Sequence, residues 1–320
     1  MRHALYASAV LSAFVLSGCG SGISNTSGGQ AALPAAPQFQ QNAASMKPDV
    51  ASQPLLYVTD SGSGTVKTYL YPSLAYVGQI TGFIEPLFMC LGKNNSVFVV
   101  DYATGQVANY NHAATSPNYT LTGLTLPYQC AYDKQTKDLA VVGNIENSSE
   151  HIGYVAVYHH ATGTPHIYYD RNASLLSGVA YDSLNNLYVN GYSSASDTFY
   201  YAKLDAPEST FQQIALQGGT PGSAGPMYYD PFNNFIDIGD FATSIYQIPA
   251  ATPNLVSHIV NVSMPGSSSN GFTVPSAKRV IVADAFANQV LVFKYPHGGT
   301  AVNTITTGLN MPWDALVSKP

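Results

Sequence analysis

The sequence predicts an all-β fold, a six-bladed β-propeller whose C-terminal strand completes its first blade, and three observations carry the prediction. First, a motif of two short apolar runs separated by a turn occurs six times, with hinge residues Asp60, Asp101, Asn144, Gly191, Asp240 and Asp284, 41 to 49 residues apart. That period accommodates about four strands of five or six residues with their turns. Second, the runs ahead of the hinges are apolar on both faces, as in Val280, Ile281 and Val282; a strand covered on one side only would alternate. Third, the two ends complement one another. A looser segment lies ahead of the runs, clearest in PYQCAYD (127–133) and LSGVAYD (176–182); none precedes the first run at 55, and PWDALVS (312–318) is left with no run after it. A last strand that supplies the inner edge of the first sheet closes the ring and removes the open edges that invite aggregation.

From the N-terminus, residues 1–19 have the layout of a secretory signal peptide: Arg2, an apolar stretch from Ala4 to Leu16, then Ser17, Gly18 and Cys19. The stretch is short of the roughly 20 apolar residues that a spanning helix needs. It resembles the lipobox of bacterial lipoproteins, which implies cleavage before Cys19, lipidation of that cysteine and a membrane partner through the lipid anchor. With Gly20 rather than Asp next, the resemblance implies an extracytoplasmic place in the cell envelope, at the outer membrane. Acyl chains contribute ~0.8 kcal/mol per buried CH₂, and several together hold firmly. Residues 20–53 are rich in Gly, Ser, Ala, Gln and Pro without an apolar period, which is the composition of a flexible linker. The propeller is expected over residues 54–320.

Asp or Asn at a hinge accepts a hydrogen bond from an N–H two residues on and starts a turn, and Gly tolerates the left-handed conformation. The hinge acids are therefore expected to be turn formers. Together, PxxVAxD-like segments and LYVxD-like runs resemble the NHL repeat and, more broadly, the six-bladed propellers of the gluconolactonase and regucalcin group. For the enzymes of that group the resemblance implies a divalent cation near the axis, held by carboxylate and Asn side chains, and lactonase-type hydrolase or lyase chemistry.

Propellers bind at the mouth of the central channel, where inner strands begin. The expected mouth residues are Phe88, Tyr128, Gln129, Asn270, Trp313 and Asp314, with Glu85 just outside. An aromatic and amide lining suits a neutral small molecule, a glycan or a protein partner, by stacking and a few hydrogen bonds. Glu85, Asn270 and Asp314 are the positions that match the group's cation ligands. The leading expectation is thus a binding or interaction module with no cofactor; the competing one is a metal-dependent hydrolase. No catalytic residue is assigned, and no GxSxG, HExxH or phosphate loop occurs. His159, His160 and His166 share a loop without a Cys or carboxylate at zinc spacing and are expected to be exposed. Cys90 and Cys130 fall on neighbouring inner strands, as a disulfide or as two buried thiols; export permits the former.

Composition narrows the field. Only 9% of residues are charged, against roughly 25% in ordinary domains, so hydroxyl and amide groups must wet the surface. A net charge of −6 with no basic run leaves no footprint for nucleic acid.

Overall fold

The runs covered on both faces become middle strands of six antiparallel sheets in the structure, a computed structural model that describes residues 43–146, 151–266 and 268–320. The inner strands of blades 2 to 6 are Pro86–Leu91, Pro127–Tyr132, Ala173–Tyr181, Met227–Asp230 and Phe272–Ser276. Blade 1 takes its inner strand from the other end of the chain: Pro312–Ser318 runs antiparallel to Leu55–Asp60, with Val317 opposite Leu56. The six inner strands touch in cyclic order, and the closed ring is the one the sequence predicts.

Side-chain alternation explains why the middle strands are mostly apolar on both faces. Val97 and Val99 pack toward blade 1, whereas Phe98 and Val100 pack toward blade 3. Leu55 and Tyr57 likewise face blade 2, and Leu56 and Val58 face blade 6. Among the described residues the core is six apolar clusters, one in each gap between blades. Each fully buried aliphatic or aromatic side chain contributes about 1.5–3 kcal/mol, and a blade covers both faces only when it has both neighbours.

Blade 2 also grips blade 1. The Ser318 hydroxyl donates to the Asn95 carbonyl (2.7 Å) and lies 2.8 Å from His112 Nδ1, while His112 Nε2 meets the Gln53 carbonyl at 2.9 Å. In the gap between blades 2 and 3, Cys90 and Cys130 form a disulfide with Cα atoms 5.7 Å apart.

The propeller begins earlier than residue 54. Ser45–Met46 adds a fifth strand to the outer edge of blade 1, pairing with Gln79 and Gly78. A Cβ on Gly78 would sit 2.1 Å from the Ser45 carbonyl oxygen, so the missing side chain permits this approach. Val50 is buried in the gap between blades 1 and 2, with Met46 packed against the same cluster. These two apolar anchors pull residues 45–53 out of the linker. The signal peptide, Cys19 and the linker up to residue 42 lie outside the described residues.

The hinge acids do more than start turns. Asp240 behaves as expected, accepting from the Ala242 and Ser244 amides at 2.9 and 3.0 Å. Asp101 differs: its two oxygens accept from the Ile84 and Glu85 amides, each at 3.0 Å, in the linker entering its own blade's inner strand. Asp60 and Asp284 hold the Asn310 and Gly266 amides in the same way. Linker amides at this point have left one sheet without entering the next, and an amide buried without an acceptor is costly. Asn144 instead clasps the next blade, accepting from the Leu176 amide at 2.8 Å and donating to its carbonyl at 3.2 Å.

Candidate functional site

Antiparallel geometry brings two sets of residues to one end of the ring. An inner strand starts there and runs away; the middle strand returns and ends there at its hinge. The mouth is thus built from residues that open inner strands and residues that follow hinges.

At the centre, polar side chains tie blades together. The Gln129 carbonyl accepts from the Val179 and Met227 amides at 2.9 and 3.0 Å, and its amide donates to the Met227 carbonyl at 3.0 Å. One residue of blade 3 thereby joins the inner strands of blades 4 and 5. Asp314 accepts from the Met89 amide at 2.9 Å, and its own amide donates to Thr59 Oγ1 at 2.9 Å, which in turn donates to the Leu87 carbonyl at 2.6 Å. Asn270 Oδ1 accepts from Ser268 Oγ (2.8 Å) and the Ala285 amide (3.3 Å). Phe88 is fully buried. Of the six expected mouth residues, Phe88, Gln129, Asn270 and Asp314 therefore lie beneath the surface, while Tyr128 and Trp313 keep partial exposure.

Tyr128 is the hub of the surface group. Its ring lies 4.9 Å from Phe88 and 6.4 Å from Tyr102, the latter edge to face. The Trp313 indole N–H is buried without a hydrogen-bond partner, and its polar neighbour is the Tyr128 hydroxyl. Glu85 is half-buried beside them; desolvation, and then the charge of Asp101, raises its pKa. Burial, and then the Glu146 and Glu85 charges, raise the pKa of the Tyr102 hydroxyl. Three large apolar side chains stand on the same rim: Ile84, Phe286 and Met311, exposed by 67%, 72% and 43%.

The sequence reading missed Tyr102 and Tyr192, although a signal was present. Tyr102, Tyr192 and Phe241 each directly follow a hinge, and hinges lie at the mouth. Tyr192 is partly exposed, and its hydroxyl accepts from the Ala224 amide at 3.2 Å.

The donor set Glu85, Asn270 and Asp314 does not suit a divalent cation. A hard cation takes six or more oxygen ligands, waters included, with carboxylates supplying the charge, whereas the Asn270 oxygen already accepts two hydrogen bonds. Asp314 is buried and its carboxyl is already occupied by the Met89 amide. Among the described residues no three His, Cys, Asp or Glu side chains converge on a cation position. His159, His160 and His166 are exposed; His159 Nδ1 lies 3.3 Å from Asp138.

Fold and site define a six-bladed β-propeller with an aromatic mouth. Solved structures share the architecture. A chain of a nidogen/laminin complex aligns over 83% of this chain and 98% of its own, with a TM-score of 0.65 and 12% identity. A Bacteroides caccae protein of unknown function aligns over 84% and 100%, with a TM-score of 0.63 and 9% identity. AztD from Citrobacter koseri aligns over 83% and 98%, with a TM-score of 0.52 and 11% identity. At such identities the likeness is one of fold. No protein-family model matches the chain, and no curated relative does.

Proposed function

We propose that the chain is an extracytoplasmic binding module of the bacterial envelope, built on NHL-like repeats and anchored by a lipid on Cys19, and that it takes a neutral, ring-bearing ligand at the propeller mouth. One observation carries the binding reading: Tyr102, Tyr128 and Trp313 gather, partly exposed, above the hydrogen-bonded side chains of Gln129, Asn270 and Asp314. Such a surface offers stacking, worth about 0.5–1.5 kcal/mol per aromatic pair, and few groups to attack a substrate. Apolar Ile84, Phe286 and Met311 extend it outward, which suits a glycan or an exposed peptide segment. The anchor reading rests on residues 1–19.

Trp313 is the chain's single tryptophan, so its emission reports on the mouth. Titration with neutral oligosaccharides and uncharged peptides is expected to shift that emission saturably for one class, with affinity falling at least about tenfold, or 1.4 kcal/mol, in Tyr128→Ala. Silence across both classes removes the reading. Calorimetry with Ca²⁺, Zn²⁺ and Mn²⁺ tests the competing hydrolase: stoichiometric binding lost in Glu85→Ala or Asp314→Ala replaces the module with a metal-dependent enzyme. Cys19→Ala is expected to move the protein from the membrane to the soluble fraction; continued membrane association removes the anchor.

A further inference from the structure

A groove of about 470 Å³ opens between blades 2 and 3, lined by Lys93, Phe98, Asn109, Tyr132, Lys137 and His160 among others. Lys93 and Lys137 stand on turns where inner strands pass into middle strands, at the end of the ring away from the mouth. We propose that this groove is a second binding site and that it takes a carboxylated sugar of the hexuronate type.

The floor is aromatic. Phe98 and Tyr132 stack with centroids 6.2 Å apart and planes 27° from parallel, and Tyr119 meets Phe98 edge-on at 6.3 Å. Tyr119 is 38% exposed and Tyr132 partly so, leaving ring surface on which the C–H face of a pyranose can lie.

The wall is an amide ladder. Buried Asn109 donates to Ser96 Oγ at 3.1 Å and accepts from Asn118 at 2.9 Å, and Asn118 also donates to Asn111 Oδ1 at 2.9 Å. Fixed in this way through its oxygen, the Asn111 amide has both its N–H groups without a partner among the described residues, available for sugar hydroxyls.

The rim is cationic in a chain of net charge −6. Among the described residues neither Lys93 nor Lys137 has an ion-pair partner. His160 is oriented by Nδ1 against the Thr136 carbonyl at 2.9 Å, which leaves Nε2 without a partner among the described residues. The neighbouring carboxylate, Asp138, is engaged by the His160 backbone amide at 2.9 Å and by His159 at 3.3 Å. Two lysines on separate blades present point charges to a carboxylate; no arginine fork of the kind that favours phosphate lines the groove. The volume lies within the range of small-ligand sites, about 300–1,000 Å³.

Calorimetric titration of the intact protein with oligogalacturonate, free glucuronate and neutral glucose oligomers tests the site. Expected is binding of the acidic sugars that salt weakens, with the oligomer arm distinguishing a polymer ligand from a free monosaccharide; neutral oligomers bound at the mouth are recognised by the Trp313 emission change they cause. The exposed pair Lys93→Ala with Lys137→Ala is expected to lose at least about tenfold in affinity without a change in melting, whereas Tyr132→Ala, which also removes a contact to the core between the blades, is expected to lose affinity together with some stability. Trp313 emission is expected to stay constant as the acidic sugars bind, because the groove lies at the far end. No acidic-sugar binding, neutral-sugar binding that the lysine variant weakens equally, or wild-type acidic-sugar affinity in the lysine variant overturns the proposal and leaves the mouth reading intact. An emission change that accompanies acidic-sugar binding overturns it by moving that ligand to the mouth.

Discussion

Asp314 shows what burial does to a polar residue at the axis. Its folded pKa, pushed up to about 8 by desolvation, exceeds the roughly 3.9 of an unfolded chain. Between those values the folded state holds a proton that the unfolded state has lost, so this contribution is complete below about pH 4 and disappears as pH rises through about 8. Asp314→Asn can still accept from the Met89 amide but cannot titrate. Urea unfolding at about pH 5 and about pH 8 is expected to show a loss of stability for the native chain that the variant lacks, with a slope up to about 1.4 kcal/mol per pH unit; equal losses refute it. At this scale the sequence was half legible. Repeat position brought Tyr128, Trp313 and Asp314 to one end of the ring, but which would sink could not be read. Depth depends on cross-blade bonds such as that of Gln129 to Met227, 98 residues away.

Between blades, the disulfide is the clearest reinforcement. Cys90 and Cys130 join two inner strands 40 residues apart, and closing such a loop contributes about 4 kcal/mol in the chain-entropy account. The urea midpoint of the oxidised protein is expected to exceed that of the reduced protein, or of Cys90→Ser with Cys130→Ser, by a corresponding margin; coincident midpoints refute it. Spacing placed these cysteines on neighbouring strands, yet their pairing turned on which way each side chain left its sheet, and the bulge between Pro86 and Met89 alters that phase. Hinges tell a similar story. Asp101 was recognisable as a turn residue, but its partners at Ile84 and Glu85 lie 17 and 16 residues upstream, beyond any local rule.

For the ring as a whole, closure was the most legible feature, because a strand without a partner at 312–318 answered a missing strand before 55. Deleting residues 311–320 removes the inner strand of blade 1 and bares the clusters on both sides of that blade. Thermal unfolding followed by circular dichroism is expected to lose its cooperative transition, whereas removing only exposed Lys319 and Pro320 leaves it in place; a normal transition after the longer deletion refutes the account. The short strand Ser45–Met46 was not legible, since two residues carry no period and its partner surface is created by Gly78 far along the sheet.

Sharing blade 1 between distant parts of the chain also orders events in time. Five sheets are contiguous in sequence and can form as they emerge, but the sheet begun first is the one finished last. Until residue 318 has been synthesised, Leu55–Asp60 presents an unpaired backbone edge. Throughout synthesis and any passage across a membrane, the nascent protein must therefore be kept from lending that edge to another copy, whose own tail would fit it equally well.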